Sequence, residues 1–158
     1  MKKATLLAVC LAAFLMIFVS SAQAAGPLNI YVRGGIMSLS DFSFNPVYGL
    51  AGANIDFNLG ALSISPECDI QLYQFGFKPV TIMSGAILNM NLAALYFGAG
   101  LMLPVYIGSG YTLKGDLQFK VNAGLKFGSL KLQIFILTPF TNFFQFPCWA
   151  GATLGAGF

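Results

Sequence analysis

The run 116–127, DLQFKVNAGLKF, places Leu117, Phe119, Val121, Ala123, Leu125 and Phe127 on one parity. Asp116, Gln118, Lys120, Asn122, Gly124 and Lys126 fall on the other. Strict alternation is the signature of a β-strand with two chemically different faces. The run 62–73, LSISPECDIQLY, repeats it, with Leu62, Ile64, Cys68, Ile70 and Leu72 against Ser63, Ser65, Glu67, Asp69, Gln71 and Tyr73. From about residue 30 onward the chain is a series of such stretches. Strands of this kind need an apolar surrounding on one side and a small polar space on the other.

Composition says which side is outside. Charged residues make up 8% of the chain and hydrophobic residues 57%, whereas a soluble domain carries about 25% charge. A surface this poor in charge is badly hydrated. Beyond the first two dozen residues no run of about 20 apolar residues offers a membrane helix. A closed β-barrel is the other structure that satisfies its backbone in lipid. The expected fold is therefore all-β, an eight-stranded antiparallel up-and-down transmembrane barrel.

Residues 1–24 read as a secretory signal peptide and 25–158 as the barrel domain. Lys2 and Lys3 form a positive start, Leu6 to Val19 an apolar stretch, and Ala22-Gln23-Ala24 a small-x-small cleavage site. Cys10 lies inside the apolar stretch, too early for a lipoprotein signal. Without Lys2 and Lys3, six basic side chains face five acidic ones, so no basic nucleic-acid surface is expected. Cys68 and Cys148 both fall on the apolar parity of separate strands and read as lipid-facing thiols rather than a disulfide.

The strands are expected at 28–37, 47–58, 61–74, 80–91, 93–105, 115–127, 129–138 and 146–158. Connections after the second, fourth and sixth are tight: Leu59-Gly60, the Asn91-Leu92 region and Gly128-Ser129. The others are longer. Short turns at one end and long loops at the other mark an outer-membrane barrel, with turns and both termini in the periplasm. Phe57, Phe97, Phe127 and Phe158 lie at the turn end and form an expected aromatic girdle. Phe42, Phe44, Phe75, Phe77, Phe140, Phe143 and Phe144, with Tyr106 and Tyr111, decorate the loop end. Pro66 lies inside the third strand, where a lost hydrogen bond without a register flip is expected.

With its AQA signal site, eight alternating segments and the ending TLGAGF, the chain resembles the small eight-stranded outer-membrane proteins of the OmpA transmembrane-domain, OmpX and OmpW type. In that group a C-terminal aromatic on an alternating last strand is read by the barrel-assembly machinery. Leu154 and Phe158 match this pattern; Ala156 departs from it, since an aromatic is common there. The resemblance implies outer-membrane localisation in a Gram-negative bacterium, a lipid surrounding and a monomer. It also implies no peptidoglycan-binding domain after the barrel, unlike full-length OmpA proteins.

The inward parity carries Arg33, Asp56, Glu67, Asp69, Asp116, Lys120, Lys126 and Lys131, four acids and four bases. The expectation is a salt-bridged lumen. Asp41, Lys78 and Lys114 fall in or beside loops. Glu67 and Asp69 pair on one strand face, as carboxylates do in glycoside hydrolysis, but cations from facing strands would neutralise them. The chain has no histidine, the usual general base near neutral pH. That excludes the histidine-dependent mechanisms of outer-membrane phospholipases, lipid A deacylases, lipid A palmitoyltransferases and omptin proteases. No metal cluster or phosphate-binding glycine motif is present, so no cofactor is expected. The expected role is structural or surface-interacting and non-enzymatic. Alternatives are a narrow conduit for small or hydrophobic solutes, and a lipid-modifying enzyme working without histidine. A soluble lipocalin shares the strand count with its faces reversed, but its exterior would lack charge.

Overall fold

The computed structural model describes residues 27–39, 46–77, 79–108, 110, 112–142 and 148–158. The signal segment 1–24, Asp41, Phe42, Phe44, Lys78, Tyr111, Phe143 and Phe144 lie outside the described residues.

The alternating stretches form strands β1 (Leu28–Leu39), β2 (Val47–Leu59), β3 (Leu62–Tyr73), β4 (Val80–Leu92), β5 (Leu95–Ile107), β6 (Thr112–Lys114), β7 (Gln118–Phe127), β8 (Leu130–Pro139) and β9 (Trp149–Gly157). Sequential neighbours pair antiparallel, and β1 pairs with β9, so the sheet closes on itself. Strands β6 and β7 both pair with β5 and are two pieces of one interrupted strand. The fold is a closed eight-stranded antiparallel barrel, and closure leaves no unpaired sheet edge.

The interruption has a local cause. Val105 pairs with Lys114 and Met102 with Gln118, so Gly115, Asp116 and Leu117 oppose only Leu103 and Pro104. This is a β-bulge. Pro104 has no N–H to give the ladder, though its carbonyl still accepts the Gly115 N–H at 2.8 Å. A Cβ at Gly115 would stand 2.8 Å from the Pro104 ring, so a glycine lets the strand pass. Pro66 acts more gently. The β2–β3 ladder skips the positions opposite Ile55 and Asp56, then resumes in the same register.

Three two-residue turns close one end, at 60–61, 93–94 and 128–129. Each begins with a positive φ: 75° at Gly60, 54° at Ala93 and 56° at Gly128. Hairpin turns that match strand twist need such a residue. The second turn falls two residues beyond the expected Asn91-Leu92, on an alanine that bears the left-handed strain. Segments 40–46, 74–79, 108–111 and 140–148 make the longer connections at the other end.

Side chains sort by parity. Apolar residues project outward and stay exposed, among them Val32 at 55%, Leu88 at 55% and Ile134 at 61%. Polar residues line the lumen and are buried. Toward the loop end, Met37, Leu50, Met83, Ile87, Met102, Phe135 and Leu137 form one apolar cluster inside the barrel. The cysteines differ from each other. Cys68 is exposed on β3, as expected of an outward residue, but Cys148 is buried rather than outward. Cys148 precedes the first residue of β9, so strand parity does not govern where it points.

Candidate functional site

The lumen gathers the charge. All seven charged residues of β1–β5 and β7–β9 point inward: Arg33, Asp56, Glu67, Asp69, Lys120, Lys126 and Lys131. They separate into two clusters.

Arg33 centres the first. On β1 its backbone neighbours are Gly52 of β2 and Gly155 of β9. A Cβ at Gly52 would collide with the Asp69 carboxylate and the Cys68 carbonyl. With no side chain there, the guanidinium crosses over β2 to reach β3. It grips Glu67 with two bonds, Nη1 to Oε1 at 2.8 Å and Nη2 to Oε2 at 2.7 Å. It grips Asp69 with two more, Nε to Oδ1 at 2.9 Å and Nη2 to Oδ2 at 2.7 Å. Its last N–H donates from Nη1 to Gln133 Oε1 at 3.1 Å. All five guanidinium donors are therefore used, the maximum arginine offers. Lys120 reaches from the opposite wall to Glu67 Oε2 at 2.5 Å and lies 3.8 Å from Asp69 Oδ2. Its ammonium also stands 4.7 Å from the centre of the Phe135 ring. Two cations face two carboxylates, so formal charge cancels.

Asp56 centres the second cluster, nearer the tight turns. Lys126 Nζ lies 2.8 Å from Oδ2, and Lys131 Nζ lies 3.0 Å from Oδ1. Asn54 Nδ2 donates to Asp56 Oδ1 at 2.6 Å and the Ser65 hydroxyl donates to it at 2.7 Å. Two lysines meet one carboxylate, leaving one formal positive charge. Aromatic faces share it: Lys131 stands 5.0 Å from the Tyr31 ring and 5.1 Å from Tyr96, and Lys126 stands 5.0 Å from Tyr96. Such contacts attract a cation to the ring's negative face.

Of the eight residues singled out for the lumen, Asp116 departs. It is exposed at the bulge, where the extra residue breaks the alternation that assigned it inward. Lys114 is exposed near the loops. Sequence reading passed over Gln133, Asn54, Ser65, Tyr31 and Tyr96 as cluster members. Inward parity was their only signal.

Aromatics stand at both ends of the outward apolar belt. Phe57, Phe97, Phe127 and Phe158 are exposed at the tight-turn end. Phe75, Phe77 and Phe140 are exposed at the loop end. Tyr106 lies at the mouth of the lumen, where it lines a cavity of about 70 Å³ with Tyr48, Trp149, Met37 and Gln71.

The arrangement suits cross-bracing of strands rather than proton transfer, since Arg33 engages both carboxylates of the Glu67–Asp69 pair. Among the described residues, no group of three or more His, Cys, Asp or Glu could hold a metal ion. No family model and no curated protein matches the chain. Fold and lumen together define a class: a closed eight-stranded antiparallel barrel with a charged interior and an apolar exterior. That form is consistent with a small outer-membrane-type barrel.

Proposed function

We propose that this chain is a bacterial outer-membrane protein of the OmpA transmembrane-domain, OmpX or OmpW type, with a structural or surface-interaction role and no enzymatic activity. One observation carries the reading: every charge in the long strands points into the lumen while the outward face is apolar. Water would not solvate that exterior. Lipid would, and it explains the exclusion of charge, since a lipid-facing Lys or Arg at mid-depth costs about 2–4 kcal/mol. The exposed phenylalanines at each end suit the two membrane interfaces. The closed sheet favours a monomer. Export through a cleaved signal peptide and insertion by the barrel-assembly machinery follow from the same reading, with lipid as the constant partner. The exposed loop-end aromatics supply the contact surface.

Cell fractionation with a detergent gel tests it. The mature protein is expected in the outer membrane, and its migration is expected to change on boiling as the barrel opens. A soluble periplasmic protein with heat-independent migration would refute the proposal.

A further inference from the structure

Between the two charge clusters lie four buried amides: Asn54 on β2, Asn89 on β4, Asn122 on β7 and Gln133 on β8. None is more than 3% exposed. Each retains amide atoms with no partner among the described residues: Asn54 Oδ1, Asn89 Oδ1, both Asn122 atoms and Gln133 Nε2. Partners fix which half is left over in three of them. Asn54 spends its nitrogen on Asp56, and Asn89 donates to Ser65 Oγ at 2.7 Å. Gln133 Oε1 accepts from Arg33 at 3.1 Å and from Thr153 at 3.4 Å. Orphaned polar atoms are rare in folded proteins and costly when dry. Here they collect at one level of one lumen.

Their chemistry selects the occupant. Three oxygens and two nitrogens must be satisfied together. A metal cation suits only the oxygens, and an anion only the nitrogens. Water serves both. The backbone makes room, since Gly98 lies between Asn89 and Asn122 on adjacent strands. A Cβ there would press on the amide oxygens of both.

The surroundings give the layer one open side. Toward the tight turns the lining is polar, with Ser63, Asn91 and Lys126, and the Lys126 side chain keeps 17% exposure. Toward the loops stands the apolar cluster of Met37, Leu50, Met83, Ile87, Met102, Phe135 and Leu137. We propose that the lumen is a blind, hydrated chamber. Water enters past Lys126, is bound by the Asn54–Asn89–Asn122–Gln133 layer, and is stopped by the apolar cluster. The barrier to passage is then the apolar cluster and not the salt bridges. This holds for the barrel whatever surrounds it.

The test uses the folded full barrel in detergent micelles. Magnetisation transfer from water to the side-chain amides of Asn122 and Gln133 is expected by nuclear magnetic resonance. It should weaken in Gly98→Ala, which fills the notch. Asn122→Leu, measured by urea unfolding, gives the sign. In a wet layer it lowers the unfolding midpoint, because bound water loses its partners. In a dry layer it raises the midpoint, because an orphaned amide is removed. No water transfer together with a raised midpoint would overturn the proposal. So would a direct Asn122–Asn89 hydrogen bond in the spectra, since the layer would then satisfy itself.

Discussion

The two charge clusters sit in one lumen, built from the same residue types, yet they solve different problems. Around Arg33 two cations meet two carboxylates, every guanidinium hydrogen has an acceptor, and side-chain exposure is 8% or less. Around Asp56 two lysines share one carboxylate, tyrosine rings take up the surplus, and Lys126 is partly exposed. Distance from the opening explains the contrast. Deep in the barrel an unpaired charge has no solvent to turn to, so charge must balance. Near the tight turns water relieves part of the surplus, and balance is less strict.

Arg33→Ala should cut deepest into that comparison. It leaves Glu67 and Asp69 with Lys120 alone, and breaking a buried ion pair costs about 3–5 kcal/mol. Urea unfolding in lipid vesicles reads the loss. Pairing Arg33→Ala with Glu67→Gln should recover part of it, because coupled sites do not add. A loss under about 1 kcal/mol would mean that the deep cluster behaves like a surface pair.

The glycines beside Arg33 sharpen the point. Gly52→Ala drives a methyl into Asp69 and the Cys68 carbonyl, an overpacking worth roughly 1–3 kcal/mol. Gly155→Ala places its Cβ 3.4 Å from Arg33 Cβ and from the Val32 carbonyl, which neighbours accommodate with small shifts. Its cost should be clearly smaller in the same assay. Equal costs would show that the guanidinium does not depend on its path over β2.

The shallow cluster should give the smallest effect. Lys126→Ala leaves Asp56 with Lys131, Asn54 and Ser65, so about 1 kcal/mol or less is expected. If Lys126→Ala costs as much as Arg33→Ala, the distinction between deep and shallow clusters fails.

What the sequence made legible follows from what is local. Period-two alternation within each stretch carried the eight strands and their closure, and the observed limits agree to within a few residues, the sixth strand excepted. Gly60 and Gly128 marked their turns because glycine accepts a positive φ without strain. The third turn was misplaced because Ala93-Ala94 carries no turn chemistry. The bulge that exposes Asp116 was hidden because its cause, Pro104, sits on the neighbouring strand. Cys148 was misassigned because it lies before its strand begins. Parity could orient Arg33, Glu67 and Lys120, but their meeting across the lumen depends on how the strands are staggered. Stagger is a property of the closed sheet. The amide layer was invisible for the same reason, since Asn89 and Asn122 meet only over Gly98.

The central claim is that the barrel is turned inside out for lipid. Single cysteines in a background of Cys68→Ser and Cys148→Ser, each carrying a small fluorescent probe, test it in vesicles with quenchers on the acyl chains. Probes at Val121 and Leu125 are predicted to be strongly quenched, and probes at Gln118 and Asn122 to be protected. Equal quenching at both sets, or quenching confined to the inward pair, would contradict the membrane reading.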